Sequence, residues 1–413
     1  MYIQRAIEPT IRAISKELPV VMLTGPRGCG KTTTLQMISG KERTYVPLED
    51  EDVRALARSD PQEFLRQNKG PLILDEIQYA PELLPYLAAM VKSSKRMGLI
   101  WMTSSAGNIV PAVRSTFEEK VDVLTMLGFS DAEIYGYESV PYTTSADRLM
   151  KRVEVCPDRD LKEIFSRIFT GSFPELYANP EEEPPAFYAA YVDALLQDDF
   201  YEIVESGNEQ VFRRFLTVVA SNAARPLIVE EMARSCAISV PTFERWLDLL
   251  KNAHLVQIVE PFADPGLKRT LKISILHFLD TGLAAYLLKW TDPVSLENGY
   301  NAAAFYETHV YEELLKSYLN AGRTPSFTYY KDKDRRELAL ILEEDGQLAP
   351  INIKMSATPA QTTVRNFKAL DPLRTQSLSG VPPRDIADGN ILCPAKELHP
   401  LDPDTWVVPS WLI

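Results

Sequence analysis

The amino-acid sequence predicts an α/β fold whose first third is built around a parallel sheet. Short apolar runs bounded by turn residues alternate there with segments of helical spacing. Continuous apolar strands separated by helices are typical of a parallel sheet that helices cover on both faces. The predicted strands are 20–23, 44–48, 71–75, 99–103 and 121–127, and the predicted helices are 31–39, 52–67, 82–97 and 107–119.

A glycine-rich turn follows the first predicted strand. The stretch "LTGPRGCGKTTT" (23–34) fits the phosphate-loop pattern G-x-x-x-x-G-K-[ST]. Backbone N–H groups of residues 28–32 and the positive end of the following helix would surround a β-phosphate. Glycine at 28 or 30 keeps that approach free of side chains. The alternative, a chance match in a glycine-rich turn, is disfavoured by the strand and helix on either side.

The phosphate loop predicts ATP and Mg²⁺ as cofactors. Lys31 would bridge the β- and γ-phosphates, and the hydroxyl of Thr32 would bind Mg²⁺. The predicted nucleotide-binding residues are Gly25, Pro26, Arg27, Gly28, Cys29, Gly30, Lys31, Thr32 and Thr33.

The stretch "PLILDEIQYAP" supplies the second half of the predicted site. Its apolar run ends in Asp75 and Glu76 at the end of a buried strand. Asp75 would hold Mg²⁺ through water, and Glu76 would act as the general base for the attacking water. The alternative is an Asp-Glu pair that caps the following helix, which Pro81 helps to start.

Polar residues also end the next predicted strand, "LIWMTSSAG". Thr103, Ser104 and Ser105 lie at this end, and such a side chain could reach between the catalytic water and the γ-phosphate. We take Ser104 and Ser105 as candidate sensors. Ser and Thr are equally common turn residues, so this alternative stays open.

Composition limits the class of protein. A chain of 413 residues with 45% hydrophobic and 24% charged residues predicts two to four globular domains. The four cysteines are far apart and the chain has no apolar run of about 18 residues, which favours a cytoplasmic protein without membrane partners. A net charge of −13 argues against a nucleic-acid coat but leaves room for a local basic patch.

Four stretches together resemble one known family. They are "LTGPRGCGKTTTL", "PLILDEIQYAPELLPYL", "ISVPTFERWLDLLKNAHLV" and "HFLDTGLAAYLL". Their order is similar to that in prokaryotic AAA+-type ATPases with a C-terminal nuclease-like domain. The resemblance implies a P-loop NTPase core at 1–137, a helical lid or linker at 138–210, a winged helix at 211–290, and a mixed α/β domain similar to PD-(D/E)XK nucleases at 300–413.

The resemblance also implies a homo-oligomer, by default a hexameric ring, in which a residue from one subunit completes its neighbour's site. The family usually places an arginine shortly before the fifth strand, and Lys120 stands there in this chain. Lysine keeps the charge but loses the planar fork of arginine. Lys120 and Arg114 are therefore the candidate trans-acting residues, with Arg148 and Arg152 as alternatives. Each could equally be a solvated surface charge.

The helix-turn-helix part could contact DNA. Its helices are predicted at 228–235 and 241–252, and the outward residues of the second, Glu244, Arg245, Asp248 and Lys251, form a neutral mixture. Helices that read DNA usually carry more basic and amide side chains. The predicted wing at 264–272, which holds Lys268 and Arg269, could make a modest contact. A purely structural winged helix is the alternative.

The resemblance implies a metal-dependent nuclease site only in part. Glu307 and Lys354 match the family's helix Glu and strand Lys, but Ala339 and Asn352 stand where carboxylates are expected. Neither residue would bind a hard divalent cation well, so nuclease activity is not expected. The competing interpretation is that Glu337 or Glu343 has taken over as a ligand.

The sequence thus predicts Mg²⁺-dependent ATP hydrolysis that drives conformational change in an oligomeric AAA+-type assembly. The alternative is an ATP-dependent DNA-binding or branched-DNA remodelling module that uses an inactive nuclease-like domain as a duplex platform.

Overall fold

The computed structural model describes residues 2–179, 181–264, 267, 272–375 and 383–413. The helices are α1 Glu8–Glu17, α2 Lys31–Ser39, α3 Glu51–Ser59, α4 Pro61–Gln67, α5 Leu84–Ser93, α6 Val110–Phe117, α7 Asp131–Tyr135, α8 Ala146–Val153, α9 Leu161–Thr170, α10 Glu175–Ala178, α11 Pro184–Ala194, α12 Tyr201–Glu205, α13 Glu209–Ser221, α14 Val229–Cys236, α15 Val240–Asn252, α16 Thr281–Leu287, α17 Pro293–Glu297, α18 Ala302–Asn320, α19 Val364–Phe367 and α20 Asp371–Thr375. The strands are β1 Val20–Thr24, β2 Thr44–Pro47, β3 Leu72–Asp75, β4 Ile100–Ser104, β5 Val121–Thr125, β6 Arg225–Pro226, β7 Val256–Pro261, β8 Ile275–Phe278, β9 Ser326–Lys331, β10 Glu337–Glu344, β11 Gln347–Ile353, β12 Asp385–Ile386, β13 Gly389–Cys393, β14 His399–Asp402 and β15 Thr405–Pro409.

The first five strands form a parallel sheet in the order β2-β3-β4-β1-β5. Alternate residues of β1 enter two separate apolar cores, with Val20 and Met22 in one and Val21 and Leu23 in the other. Helices α3 to α6 cover the first face, and α1 and α2 cover the second. The predicted doubly covered parallel sheet is therefore confirmed, and the carboxyl ends of β1, β3 and β4 meet at one edge.

One predicted helix of the N-terminal part is two helices in the structure. The sequence predicted a helix over 52–67, whereas the structure has α3 and α4 separated at Asp60. The Asp60 side chain accepts a hydrogen bond from the backbone N–H of Glu63, and Pro61 starts the second helix. Because proline has no N–H to continue the first helix, the chain turns there.

Most of the rest of the chain shares one apolar core that runs from Leu127 to Ile413, and two smaller apolar clusters lie in its C-terminal part. Helices α14 and α15 and strand β7 lie where the sequence predicted two helices and a strand. Strand β7 pairs with β8 and, through Glu260 and Pro261, with β9, so one sheet runs from β6 into the C-terminal strands. Whether α14 and α15 form a winged helix stays a prediction, and Lys268 and Arg269 of the predicted wing lie outside the described residues.

A buried group of charged side chains joins the N-terminal domain to the rest. Asp131 on α7 pairs with Arg159 and Arg167, each at 3.0 Å, and its backbone N–H donates to Glu313 on α18 at 2.7 Å. The Asp131 carboxylate and both guanidinium groups are nearly inaccessible to solvent. Removing one partner of such a group leaves a buried charge uncompensated. The contacts therefore fix α7 against α9 and α18.

Within the described ranges, no helix is long and apolar enough to cross a membrane.

Candidate nucleotide-binding site

The phosphate loop connects β1 to α2 at the carboxyl edge of the parallel sheet. A Cβ atom on Gly25 would lie 1.9 Å from the carbonyl oxygen of Met126, so no side chain fits there. At Gly28 and Gly30 the nearest atoms would be 3.6 Å away, but φ is 77° and 95°. The backbone conformation requires glycine at these two positions. That a side chain there would also block the approach of phosphate stays a prediction.

Lys31 is buried in the mouth of this loop. Its ammonium donates hydrogen bonds to the carbonyl oxygens of Gly25 at 2.9 Å and Pro26 at 3.0 Å. It also lies 3.7 Å from a carboxylate oxygen of Glu76. The charge is thus held by dipoles and one carboxylate, and a phosphate group that enters the loop would meet it directly.

Thr32 and Asp75 form a corner of oxygen atoms beside the loop. The Thr32 hydroxyl donates to Asp75 Oδ1 at 2.6 Å, and the Thr103 hydroxyl donates to the same oxygen at 2.6 Å. The Tyr45 hydroxyl donates to Asp75 Oδ2 at 2.8 Å. Hydroxyl and carboxylate oxygens are the ligands that Mg²⁺ prefers, so the two residues predicted to bind metal lie together and fit that ion.

Glu76 follows with its backbone in the left-handed region, at φ 57°. This conformation costs a non-glycine residue roughly 1–3 kcal/mol and is found mostly at functional sites. Its N–H donates to Thr103 Oγ1 at 2.9 Å, and its Oε2 accepts from the backbone N–H of Ser105 at 2.7 Å. Burial alone would raise the pKa of Glu76, but Lys31 and the hydrogen bonds from Gln78 and Ser105 lower it. The side chain is therefore a carboxylate at neutral pH.

The candidate sensor serines contact Glu76 through a residue that the sequence did not single out. Gln78 donates from Nε2 to Glu76 Oε2 at 2.5 Å and to Ser105 Oγ at 3.0 Å. The Ser104 hydroxyl donates to the Gln78 carbonyl oxygen at 2.7 Å. Ser104 and Ser105 thus lie at the site, while their contact with a γ-phosphate stays a prediction.

Arg27 of the phosphate loop lies near three carboxylates. Its guanidinium lies 3.2 Å from Glu49, 3.0 Å from Asp198 and 3.8 Å from Asp199. The two aspartates belong to a π-helical turn, Leu195–Asp199, at the end of α11. Burial raises the pKa of Asp199 to about 6, and Arg27 opposes the rise. No sequence pattern indicated the contacts with the two aspartates, because they follow Arg27 by about 170 positions.

A cavity of about 340 Å³ adjoins the loop on the side of Gly30. Its size is within the range of small-molecule sites. Sequence reasoning did not find this cavity, because residues from three separate segments line it: the beginning of the chain, α2 and α10. The lining includes Tyr2, Ile3, Thr33, Thr34, Met37 and Pro174.

The candidate trans-acting residues separate into two groups. Arg114 and Lys120 are exposed, as a contact with another subunit requires. Arg148 is exposed as well. Arg152 instead donates to the carbonyl oxygen of Leu412 in its own chain. It is therefore already bound to its own C-terminal segment, which argues against the trans role considered for it.

The C-terminal domain brings Glu307 and Lys354 together, as the resemblance implied, and adds two residues. Burial and the carboxylate of Glu337 raise the pKa of Glu307 to about 7, while Lys354 and Lys331 oppose the rise. Glu337 also pairs with Lys331 at 2.9 Å. At Glu307, burial and Glu337 thus outweigh the two lysines, whereas Glu337 itself has Lys331 as its ion-pair partner. Asn352 is buried and carries no charge.

Neither Ala339 nor the competing ligand candidate Glu343 supplies a charge to this cluster. Ala339 packs against the main apolar core. Glu343 lies 3.2 Å from Arg384, so that carboxylate is engaged in another ion pair.

Comparison with known proteins finds relatives without an assigned activity. Two uncharacterized proteins, from Mycobacterium bovis and Mycobacterium tuberculosis, are each 27% identical over 354 residues, which are 85% of this chain and 73% of theirs. A Walker-type ATPase of Pyrococcus abyssi has a TM-score of 0.44 at 14% identity over 70% of this chain and 96% of its own. AMPPCP-bound DnaA from Aquifex aeolicus has a TM-score of 0.28 at 12% identity over 59% of this chain and 85% of its own. Structural similarities of this size carry no argument about function.

Three families match successive parts of the sequence. Residues 161–294 match a domain of unknown function (DUF8612), and residues 302–413 match another (DUF4143). Residues 17–135, which hold the phosphate loop, Asp75 and Glu76, match the family described as AAA domain. The N-terminal part of this chain, with its parallel sheet and predicted phosphate loop, is therefore similar to AAA domains.

Proposed function

We propose that this protein is a Mg²⁺-dependent ATPase that converts ATP and water to ADP and phosphate. The observation that carries the proposal is the meeting of Lys31, the Thr32–Asp75 pair and Glu76 at one edge of the sheet, within hydrogen-bond or ion-pair distance of one another. The AAA domain match over the same residues supports it.

Each side chain has a separate task in this proposal. Lys31 would leave the carbonyl oxygens of Gly25 and Pro26 and bind the β- and γ-phosphates, while backbone N–H groups of the loop surround the β-phosphate. Thr32 and Asp75 would hold Mg²⁺, which when bound neutralises phosphate charge. Glu76, ionised at neutral pH, would orient the attacking water and accept its proton.

The test is the rate of phosphate release from ATP by the purified full chain. We expect hydrolysis that requires Mg²⁺ and stops in excess chelator. The same assay with duplex, single-stranded and branched DNA measures whether DNA changes the rate. Absence of Mg²⁺-dependent hydrolysis both alone and with each DNA would contradict the proposal. ATP-dependent remodelling of branched DNA stays a prediction. Two of the four outward residues of α15, Asp248 and Lys251, are paired with each other at 2.8 Å.

We also propose that ATP assembles several copies of the chain into a closed ring, by analogy a hexamer. Exposed Arg114 or Lys120 would reach the γ-phosphate of a neighbouring subunit and so link subunits through the nucleotide. The Glu76→Gln protein with ATP should therefore show a closed oligomer in light scattering, and Lys31→Ala should not. A monomer at micromolar concentration with saturating ATP would remove the idea.

The C-terminal domain is expected not to cut DNA with Mg²⁺ or Mn²⁺ at any ATP concentration. Nuclease catalysis of this type uses carboxylates to hold the metal, and here Ala339 and Asn352 stand where two of them are expected, while Glu343 and Glu337 are paired with Arg384 and Lys331. A nicking assay on supercoiled plasmid measures this. Metal-dependent cleavage that disappears in both Glu307→Ala and Lys354→Ala proteins would overturn the expectation, whereas cleavage that survives both changes would come from a contaminant.

A further inference from the structure

Gln78 occupies a position between the proposed base and the end of strand β4. It lies in a short 3-10 turn, Ile77–Tyr79, directly after Glu76. Its amide nitrogen donates to Glu76 Oε2 at 2.5 Å and Ser105 Oγ at 3.0 Å, and its carbonyl oxygen accepts from Ser104 at 2.7 Å. All the hydrogen-bonding atoms of this one side chain are thus used within the candidate site.

The chemistry of the partners fixes which way the amide points. A carboxylate can only accept, so the NH₂ end of Gln78 must face Glu76. Its carbonyl end then faces Ser104, whose hydroxyl accepts from the backbone N–H of Ala106 at 3.1 Å and lies nearer to the Gln78 carbonyl oxygen, at 2.7 Å, than to that of Ala106, at 3.0 Å. A flipped amide would place a carbonyl oxygen against the Glu76 carboxylate, which repels it.

We propose that Gln78 is a positioning residue for the proposed ATP hydrolysis: its amide holds the Glu76 carboxylate in register with Ser104 and Ser105. The inference rests on the proposed function, since it assigns Gln78 a part in orienting the base. Through this link a shift at the end of β4, where a γ-phosphate would be sensed, moves the carboxylate that acts on water.

The experiment compares kcat and KM of wild type, Gln78→Ala, Gln78→Glu and Ser104→Ala. We expect Gln78→Ala to lower kcat roughly 10- to 100-fold, the size of one hydrogen bond to a charged group, with KM within about twofold. Gln78→Glu should lower kcat at least as much, because it replaces the donor to Glu76 by a second carboxylate. Ser104→Ala should lower kcat less, and its effect should not add to that of Gln78→Ala.

Gln67→Ala is the matched control, because Gln67 also donates its amide to a glutamate, Glu63, at 2.8 Å, but on the exposed surface of α4. That variant should behave as wild type. Binding of a non-hydrolysable ATP analogue shows that each variant is folded. A Gln78→Ala protein with the kcat of an active wild type would overturn the inference alone, as would a KM that rises as far as kcat falls. A wild type without Mg²⁺-dependent hydrolysis would overturn the proposed function, and the inference with it.

Discussion

Replacing Lys31 by alanine is expected to weaken ATP binding by at least about 100-fold. Hydrogen bonds between charged groups are each worth roughly 1.5–3 kcal/mol, and Lys31 would make them to two phosphate groups at once. The hydrogen bonds of Lys31 to the carbonyl oxygens of Gly25 and Pro26, at 2.9 and 3.0 Å, would be exchanged for those to phosphate, so they offset only part of this gain. Calorimetric titration with ATP and Mg²⁺ measures the dissociation constant.

The matched control for this change is Lys92→Ala. Lys92 is an exposed lysine in the last turn of α5, so its removal should leave ATP binding unchanged. A Lys31→Ala protein that bound ATP within about threefold of wild type would show that the loop backbone alone holds the nucleotide. The role assigned to the ammonium would then be wrong.

The N-terminal part of the site could be predicted because its signals are local. Five apolar runs placed the strands, and parallel strands bring their carboxyl ends to one edge. Asp75 and Glu76 ended one such run, so their meeting with Thr32, at 2.6 Å from Asp75, followed from topology. The phosphate loop was predicted in the same way from its spacing and its place between strand and helix.

The remaining site residues could not be predicted because long-range packing brings them there. Asp198 reaches Arg27 only through the turn after α11, and Tyr2 reaches the cavity beside Gly30 only because α1 packs against the sheet. Gln78 is different, since it lies two residues after Glu76. Its role depends on the left-handed backbone of Glu76, at φ 57°, which turns the chain back towards β4, and no sequence pattern announced that turn.

Glu76→Gln is expected to bind ATP at least as tightly as wild type and to hydrolyse it roughly 100- to 10,000-fold more slowly, the usual contribution of a general base. The amide has nearly the shape of the carboxylate and still offers an oxygen to Gln78 and Ser105. It cannot accept a proton, so the attacking water loses its base. Affinity should not fall, because the change removes a negative charge from a site that also holds Glu49 and Asp199.

A single-turnover assay with radiolabelled ATP separates binding from chemistry, because it follows bound nucleotide and released phosphate in the same sample. Glu82→Gln is the matched control: the same substitution six residues on, at an exposed side chain that pairs with Arg58 at 3.1 Å. Its rate should equal that of wild type. If Glu76→Gln released phosphate at the wild-type rate, another group would have to accept the proton. Asp199 would be the first to test, since its carboxylate lies close enough to Glu76 and Lys31 to feel their charges and its pKa is raised to about 6. Loss of ATP binding in Glu76→Gln would instead mean that the carboxylate acts mainly by holding Lys31, 3.7 Å away.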